Sequence, residues 1–123
     1  MRSSKAPEAI LVGHGSKTPG FDAPMKRTAR ALRAAGWKVR LAYLEVNSPS
    51  IPEAVASAVG EGAREVRILP YFILKGKHVV KDIPGIVREA RVRHGRSVRI
   101  RLCPYLGYDE RIVEVVRRRL GRS

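Results

Sequence analysis

Two histidines and one acid stand where apolar segments of the chain end. His14 lies in VGHGS after the apolar segment 8–13, Glu45 lies in AYLEVNSPS, and His78 follows an apolar run in YFILKGKH. Imidazole nitrogens and carboxylate oxygens suit borderline divalent ions such as cobalt, nickel and iron. An imidazole with an ordinary pKa near about 6.5 also accepts protons at neutral pH. These residues are therefore candidates for a metal site and for proton transfer.

The same residues could instead have purely structural roles. His14 between two glycines could serve a tight turn, and Glu45 could be an exposed acid at a strand end. Two histidines are too few for a closed structural zinc site, which usually has four protein ligands. An ion held by two of them would stay loosely bound and could be passed on. The segment GHGSKTPG matches neither the P-loop nor the dinucleotide fingerprint, so it does not predict phosphate binding.

We predict structural roles for the remaining histidine and for the single cysteine. His94 lies in an arginine-rich helix end, where a side chain interacts with the helix dipole or simply with solvent. Cys103 is the only cysteine, which excludes a disulfide within the chain, and we predict a small buried apolar residue.

Alternating strand and helix patterns predict an α/β fold. Ser50 and Glu53 have capping-box spacing, and Asp82 is expected to cap the third helix. Strands joined by helical crossovers form a parallel sheet with helices on both faces. We therefore predict one domain over residues 1–123, a three-layer sandwich with a four-stranded parallel sheet of the doubly wound, flavodoxin-like class. The predicted strands are 8–13, 37–46, 63–74 and 97–103, and the predicted helices are 21–36, 50–62, 82–94 and 109–120.

The predicted topology indicates where in the fold the candidate residues lie. Ligands of open parallel sheets bind beyond the carboxyl ends of the strands. His14, Glu45 and His78 follow the first three strands, and Tyr105 and Asp109 follow the fourth. We therefore expect these side chains at one edge of the sheet.

The charge of the chain is strongly positive, at +14 from 25 Lys and Arg against 11 Asp and Glu. Such a surplus attracts anions, either nucleic acid or a small polycarboxylate, or else it only solvates the surface. No helix-turn-helix, RNP or zinc-finger signature favours nucleic acid. No apolar run approaches the roughly 20 residues of a membrane span, and MRSSKAPEA lacks an apolar signal core, so a cytoplasmic protein is expected.

Four segments together resemble a known family. VGHGS, LEVNSPSIPEAV, LPYFILKGKHVVKDIP and PYLGYDERIVEVV are similar, in this order over about residues 8–120, to the short class II tetrapyrrole chelatases. These are the small CbiX-type sirohydrochlorin cobaltochelatases and their iron- and nickel-inserting relatives. The resemblance implies a lyase that inserts a divalent metal into sirohydrochlorin, an octacarboxylate tetrapyrrole, with release of two protons. The first choice for the inserted metal is cobalt, in cobalamin synthesis, followed by iron, in siroheme synthesis, and then nickel. The resemblance implies no permanently bound cofactor.

The resemblance also implies roles for individual residues. His14 and His78 would bind the metal, and His14 would accept a pyrrole proton. Glu45 would assist metal entry or proton removal, and the backbone amide of Ser48 would hold a substrate carboxylate. The loop expected along the tetrapyrrole consists of Ile73, Leu74, Lys75, Gly76, Lys77 and His78.

Longer members of the family carry two such halves in one polypeptide, whereas this chain corresponds to a single half-domain. The resemblance therefore implies a homodimer whose two copies face a shared cleft. Two other classes of protein are alternatives: a metal carrier that uses the same histidines without catalysis, and a basic nucleic-acid-binding module. Phosphate-driven binding would weaken steeply with salt and would not depend on His14 or His78.

Overall fold

A single parallel sheet organises the chain, and the computed structural model describes residues 6–121. The strands are Glu8–Gly13 (β1), Lys38–Tyr43 (β2), Glu65–Pro70 (β3) and Arg99–Leu102 (β4), in the order β2-β1-β3-β4. The helices are Ala23–Ala34 (α1), Ile51–Gly60 (α2), Ile83–His94 (α3) and Glu110–Leu120 (α4), and a π-helical turn, His78–Asp82, precedes α3. The predicted fold class is confirmed. The expectation drawn from the first residues of MRSSKAPEA lies outside the described residues.

The register brings the carboxyl ends of three strands to the same level. Gly13 of β1 pairs with Tyr43 of β2, and Val12 pairs with Pro70 of β3. The chain passes from β1 to β2 on one side and then crosses to β3 on the other side of β1. The gap between β1 and β3 is therefore the topological switch point, where ligands of such sheets bind.

Two apolar layers bury β1 on both faces. Ile10 and Val12 pack in the cluster that contains α2 and α3, whereas Leu11 packs in the cluster that contains Met25 and Ala29 of α1. Successive strand residues point to opposite faces, so a strand covered on both sides is apolar throughout. This explains why EAILVG shows no alternation.

The predicted cap of α2 is confirmed as a capping box. The Glu53 amide donates to Ser50 Oγ at 3.2 Å, and the Ser50 amide donates to Glu53 Oε1 at 2.9 Å. Both bonds satisfy amides that a helix start otherwise leaves without partners. They fix the point at which the turn after β2 enters α2.

The third strand is shorter than the predicted 63–74. It ends at Pro70, and only the Tyr71 amide continues the ladder, by donating to the Val12 carbonyl at 2.8 Å. Pro70 has no amide hydrogen to donate, and β1 ends at Gly13, so the apolar residues beyond Tyr71 have no β1 partner. The second strand likewise ends at Tyr43 rather than at residue 46.

Two further predictions need correction. Asp82 stands at the predicted N-cap position of α3, but its φ of −67° and ψ of −52° are already helical and its side chain makes no capping bond. Cys103 is half-buried rather than buried, since it lies just past the end of β4. Within residues 6–121, no helix has the length and apolarity that crossing a bilayer requires.

A buried phenol links α1 to β2 close to the carboxyl edge. The Tyr43 hydroxyl donates to Asp22 Oδ2, and this bond holds the pKa of the Asp22 carboxyl below its usual range. Burial, together with the Asp22 bond, raises the pKa of Tyr43 from 10.0 to about 12. Between these two values only the unfolded phenol loses its proton, so stability falls as the pH rises.

Replacing Tyr43 by Phe should therefore flatten the alkaline limb of the stability curve. We expect the free energy of unfolding of the unmodified protein to fall by roughly 2 kcal/mol more than that of Tyr43→Phe between about pH 9 and about pH 12. Urea unfolding at both pH values measures the difference, and comparing the two proteins cancels the titration of the lysines. An equal fall in both proteins would contradict the assignment.

Candidate active site

The loops after β1 and β2 are joined by backbone hydrogen bonds. The Leu44 amide donates to the Gly13 carbonyl at 3.0 Å, and the Glu45 amide donates to the His14 carbonyl at 3.0 Å. The Ser16 amide donates to the side-chain oxygen of Asn47 at 2.8 Å. His14 and Glu45, which are 31 residues apart in sequence, are therefore held by two loops that are hydrogen-bonded to each other.

Gly15 is required by this junction. Its φ of +108° lies in the left-handed region, and a Cβ built on it would stand 1.8 Å from the Glu45 carbonyl oxygen. No side chain fits there without displacing the Glu45 backbone. The glycine therefore allows the His14 loop to reach the strand end that carries Glu45.

The side chains of His14 and Glu45 are in contact and accessible to solvent. His14 Nε2 lies 2.9 Å from Glu45 Oε2, and the side chains are 45% and 59% exposed. A carboxylate oxygen at hydrogen-bond distance from an imidazole nitrogen can exchange a proton with it. Both groups remain open to a ligand arriving at the sheet edge.

His78 is placed by the π-helical turn that follows the loop after β3. The Ile83 amide donates to the His78 carbonyl five residues earlier, which closes the turn. His78 Nδ1 then lies 2.8 Å from Asp82 Oδ2. Single-turn π-helices recur at functional sites, and a carboxylate on one ring nitrogen orients the other toward a ligand.

Asp82 is the site residue that sequence reasoning missed. The sequence predicts a helix cap at this position, whereas the Asp82 carboxylate contacts His78. The spacing of four residues in HVVKD was the available signal, because residues at i and i+4 share a face of a helical turn.

The two histidines meet across the gap between β1 and β3. The ring centroids of His14 and His78 are 4.7 Å apart, and the ring planes are perpendicular. His14 thus contacts both of the other candidates, Glu45 on one side and His78 on the other. The predicted convergence of these three residues at one edge is what the structure contains.

The edge brings together a pair of imidazoles that could bind an ion. Within residues 6–121, no three or more His, Cys, Asp or Glu side chains group closely enough to hold an ion. Two imidazoles leave most coordination positions of an ion open, unlike the four-ligand sets of structural zinc sites. Such a pair suits an ion that arrives, binds briefly and leaves.

The predicted substrate loop is exposed next to His78. Leu74 is 81% exposed, Ile73 is also exposed, and the three residues that follow are exposed as well. A Cβ added to Gly76 would meet nothing within 4 Å, so the protein itself does not require a glycine there. The loop therefore offers exposed apolar side chains beside lysines.

The remaining predicted residues lie nearby in different roles. Ser48 is exposed in the turn that connects β2 to α2. Asp109 begins α4, where its carboxylate accepts from the Arg111 amide at 2.9 Å. The half-buried Tyr105 packs beside Gly107. Asp109 is thus engaged in capping a helix.

Known proteins resemble the chain over nearly its whole length. The sequence profile of the CbiX family matches residues 8–123. A sirohydrochlorin cobaltochelatase from Saccharolobus solfataricus is 31% identical over 119 residues, which cover 93% of each chain. A sirohydrochlorin cobaltochelatase from Methanosarcina acetivorans is 30% identical over 122 residues, which cover 93% of this chain and 94% of the relative.

Solved structures share the fold. A CbiX protein from Marinobacter aquaeolei superposes with a TM-score of 0.79 at 27% identity, covering 94% of this chain and 93% of that one. The sirohydrochlorin chelatase SirB from Bacillus subtilis, in complex with cobalt, gives a TM-score of 0.81 at 28% identity, and the match spans 94% of this chain but only 50% of SirB. The profile match and the relatives together establish the family: this chain belongs to the CbiX family.

Proposed function

We propose that the protein inserts a divalent metal, cobalt first, into sirohydrochlorin. The observation that carries the proposal is the pair of imidazoles, His14 and His78, 4.7 Å apart at the switch point of the sheet. The names of the relatives support the substrate, since two of them are sirohydrochlorin cobaltochelatases. Iron is the nearest alternative ion and nickel the next, because imidazole and carboxylate ligands barely discriminate among these metals.

The geometry divides the work among four side chains. His14 and His78 bind the incoming ion from adjacent strand ends, and the Asp82 carboxylate fixes the His78 ring. Two pyrrole protons must leave as the ion enters. His14 and Glu45, already joined at 2.9 Å, form the acceptor for these protons, and solvent can remove them from the exposed Glu45.

The loop beside His78 would hold the tetrapyrrole. Ile73 and Leu74 offer apolar surface to a flat ring, and the open space at Gly76 lets the ring approach the backbone. Lys75 and Lys77 would meet peripheral carboxylates, while the Ser48 amide would hold a further one. We propose these contacts for a single chelatase half-domain that comprises residues 1–123.

Neutralising the two loop lysines should weaken substrate binding more than catalysis. For Lys75→Gln combined with Lys77→Gln, we expect KM for sirohydrochlorin to rise about tenfold with little change in kcat, because each exposed lysine contributes modest Coulomb attraction. Increasing salt should raise KM of the unmodified protein more than that of the double variant. Steady-state kinetics at low and high salt measures both effects.

Lys38 provides the matched control for the loop lysines. It is exposed at the amino end of β2, the opposite edge of the sheet. Lys38→Gln should leave KM unchanged, since only local charge matters at moderate salt. An effect of Lys38→Gln as large as that of either single loop variant, Lys75→Gln or Lys77→Gln, would instead indicate attraction by net charge alone.

We further propose that two copies form a cytoplasmic homodimer around a shared cleft. The chain matches only about half of the cobalt-bound SirB chain, so a second copy would supply the missing half. Light scattering at the concentrations used for activity should give twice the mass of 13.7 kDa. A mass of one subunit under those conditions would contradict the dimer.

The experiment that tests the function is anaerobic absorbance spectroscopy with sirohydrochlorin in large excess over protein. A chelatase should convert all of the tetrapyrrole with cobalt at a rate proportional to protein concentration. A metal carrier would leave the rate at its spontaneous value. Parallel reactions with iron and nickel would rank the metals, and spontaneous rates with all three ions would refute the proposal.

A further inference from the structure

The turn after β2 holds one residue in a costly backbone conformation. Within residues 6–121, Val46 is the only residue other than glycine with a positive φ, at +68°. The Asn47 amide donates to the Glu45 carbonyl at 2.7 Å, which closes a three-residue γ-turn around Val46. A γ-turn whose central φ is positive is the rare, strained form. A β-branched side chain adds to the cost, because its Cβ crowds the neighbouring carbonyl oxygen.

The junction between the two loops requires this turn but not the valine. The Glu45 carbonyl oxygen that closes the turn is also the atom that a Cβ on Gly15 would meet. On the other side of the turn, Asn47 Oδ1 accepts from the Ser16 amide at 2.8 Å. These contacts fix the backbone before and after Val46. Glycine or asparagine would form the same turn with less strain, because both adopt a positive φ readily.

The Val46 side chain contributes little to the packing of its own chain. It is 59% exposed, and neither apolar cluster of the described part of the chain contains it. Strained residues of this kind concentrate at active sites and ligand clamps, where function offsets their cost. A contact with a bound molecule therefore accounts for the valine better than folding does.

Val46 lines a pocket next to the His14 and Glu45 side chains. The pocket has a volume of about 430 Å³ and lies between the loops after β1 and β2 and the start of α1. Lys17, also in its lining, forms no ion pair with any residue of the range 6–121. The pocket thus presents an apolar side chain and a free cation together, which suits an apolar ring that bears carboxylates.

Val46 lies on the opposite side of His14 from the predicted substrate loop. Ile73 and Leu74 follow β3, whereas Val46 follows β2 directly after Glu45. β1, which leads into His14, is the strand between β2 and β3. A flat ring lying across this edge would therefore find apolar contacts at both ends, with the histidines between them.

We propose that Val46 positions the substrate by contacting the tetrapyrrole ring on the β2 side and holding it over His14 and Glu45. The inference rests on the chelatase function proposed above and adds a second apolar contact to the site. The strained turn fixes the direction of the side chain before the ring binds, so that little ordering is required on binding. Lys17 would meet a carboxylate at the same end of the ring.

Asparagine at position 46 should give a protein that is more stable and binds the tetrapyrrole more weakly. Val46→Asn relieves the strain, so the urea midpoint of unfolding should rise by about 0.5 M. It also removes the apolar contact, so KM for sirohydrochlorin should rise about tenfold while kcat falls less. The fluorescence of metal-free sirohydrochlorin, titrated with protein, should show the same loss of affinity without any metal insertion.

Two further variants are controls for the side chain and for its position. Val46→Ile keeps the branched apolar shape and should keep the KM and the urea midpoint of the unmodified protein. Val92 is 87% exposed in α3, where its backbone is helical. Val92→Asn should therefore leave KM unchanged and should not raise the midpoint.

Four outcomes would overturn the role of Val46. The first is an unchanged affinity of Val46→Asn for the tetrapyrrole, and the second is an equal loss of affinity in Val46→Ile. The third is a urea midpoint of Val46→Asn that does not rise, which would show that the valine is not strained. The fourth is a lower mass of Val46→Asn in light scattering, which would assign the side chain to a contact between copies. An unmodified protein that does not bind sirohydrochlorin would instead refute the proposed function.

Discussion

Replacing either His14 or His78 by Ala should lower the rate of cobalt insertion by at least about a hundredfold. His14 contributes both a metal ligand and a proton acceptor, and His78 contributes the second ligand. Removing one imidazole leaves a single nitrogen at the switch point, which holds the ion too weakly to position it. Initial rates of the absorbance change, with metal and tetrapyrrole both saturating, measure the loss.

His94 is the control for the loss of an imidazole. It lies in the last turn of α3, away from the carboxyl ends of the strands. His94→Ala should keep the full insertion rate, and all three variants should unfold at similar urea concentrations, since His14 and His78 are partly exposed. Activity that survives in His14→Ala or His78→Ala would refute the metal-binding pair.

Replacing Gly15 by Ala should destabilise the protein and separate His14 from Glu45. The new Cβ would stand 1.8 Å from the Glu45 carbonyl oxygen at a φ of +108°, so the Glu45 loop must move. We expect the free energy of unfolding to fall by about 3 kcal/mol and the insertion rate to fall by at least about tenfold. Urea unfolding and initial rates give the two numbers.

Gly20 is the control that distinguishes the clash with Glu45 from the cost of a left-handed backbone conformation. Its φ is +79°, yet a Cβ there would meet nothing within 4 Å. Gly20→Ala should therefore cost only about 1 kcal/mol and leave the insertion rate almost unchanged. Equal losses in the two variants would show that the contact with Glu45 is unimportant.

The sheet, its layers and the convergence of the histidines followed from local patterns. β1 is apolar from Ala9 onward because both of its faces are covered. The parallel register brings His14, Glu45 and His78 to one edge. The capping box at Ser50 was readable because it depends on residues three apart. The family was recognisable because four motifs occur in order, and the profile match over residues 8–123 confirms it.

The features that sequence reasoning missed depend on the end of a neighbouring strand or on an unusual local backbone turn. β3 ends at Pro70 partly because β1 ends at Gly13, which the β3 sequence does not contain. Asp82 was assigned to a helix cap because the π-helical turn was not foreseen, and that turn places it on His78. The sequence also does not indicate the left-handed turn at Val46, because that turn depends on the contact between the loops after β1 and β2.

X-ray absorption spectroscopy of bound cobalt would test most directly the metal site formed by His14 and His78. Cobalt added below stoichiometry to the unmodified protein should show two imidazole nitrogens in its coordination shell. His14→Ala and His78→Ala should each retain one, and the double variant none. An identical cobalt spectrum in the unmodified protein and the double variant would place the ion elsewhere and refute insertion through these two histidines.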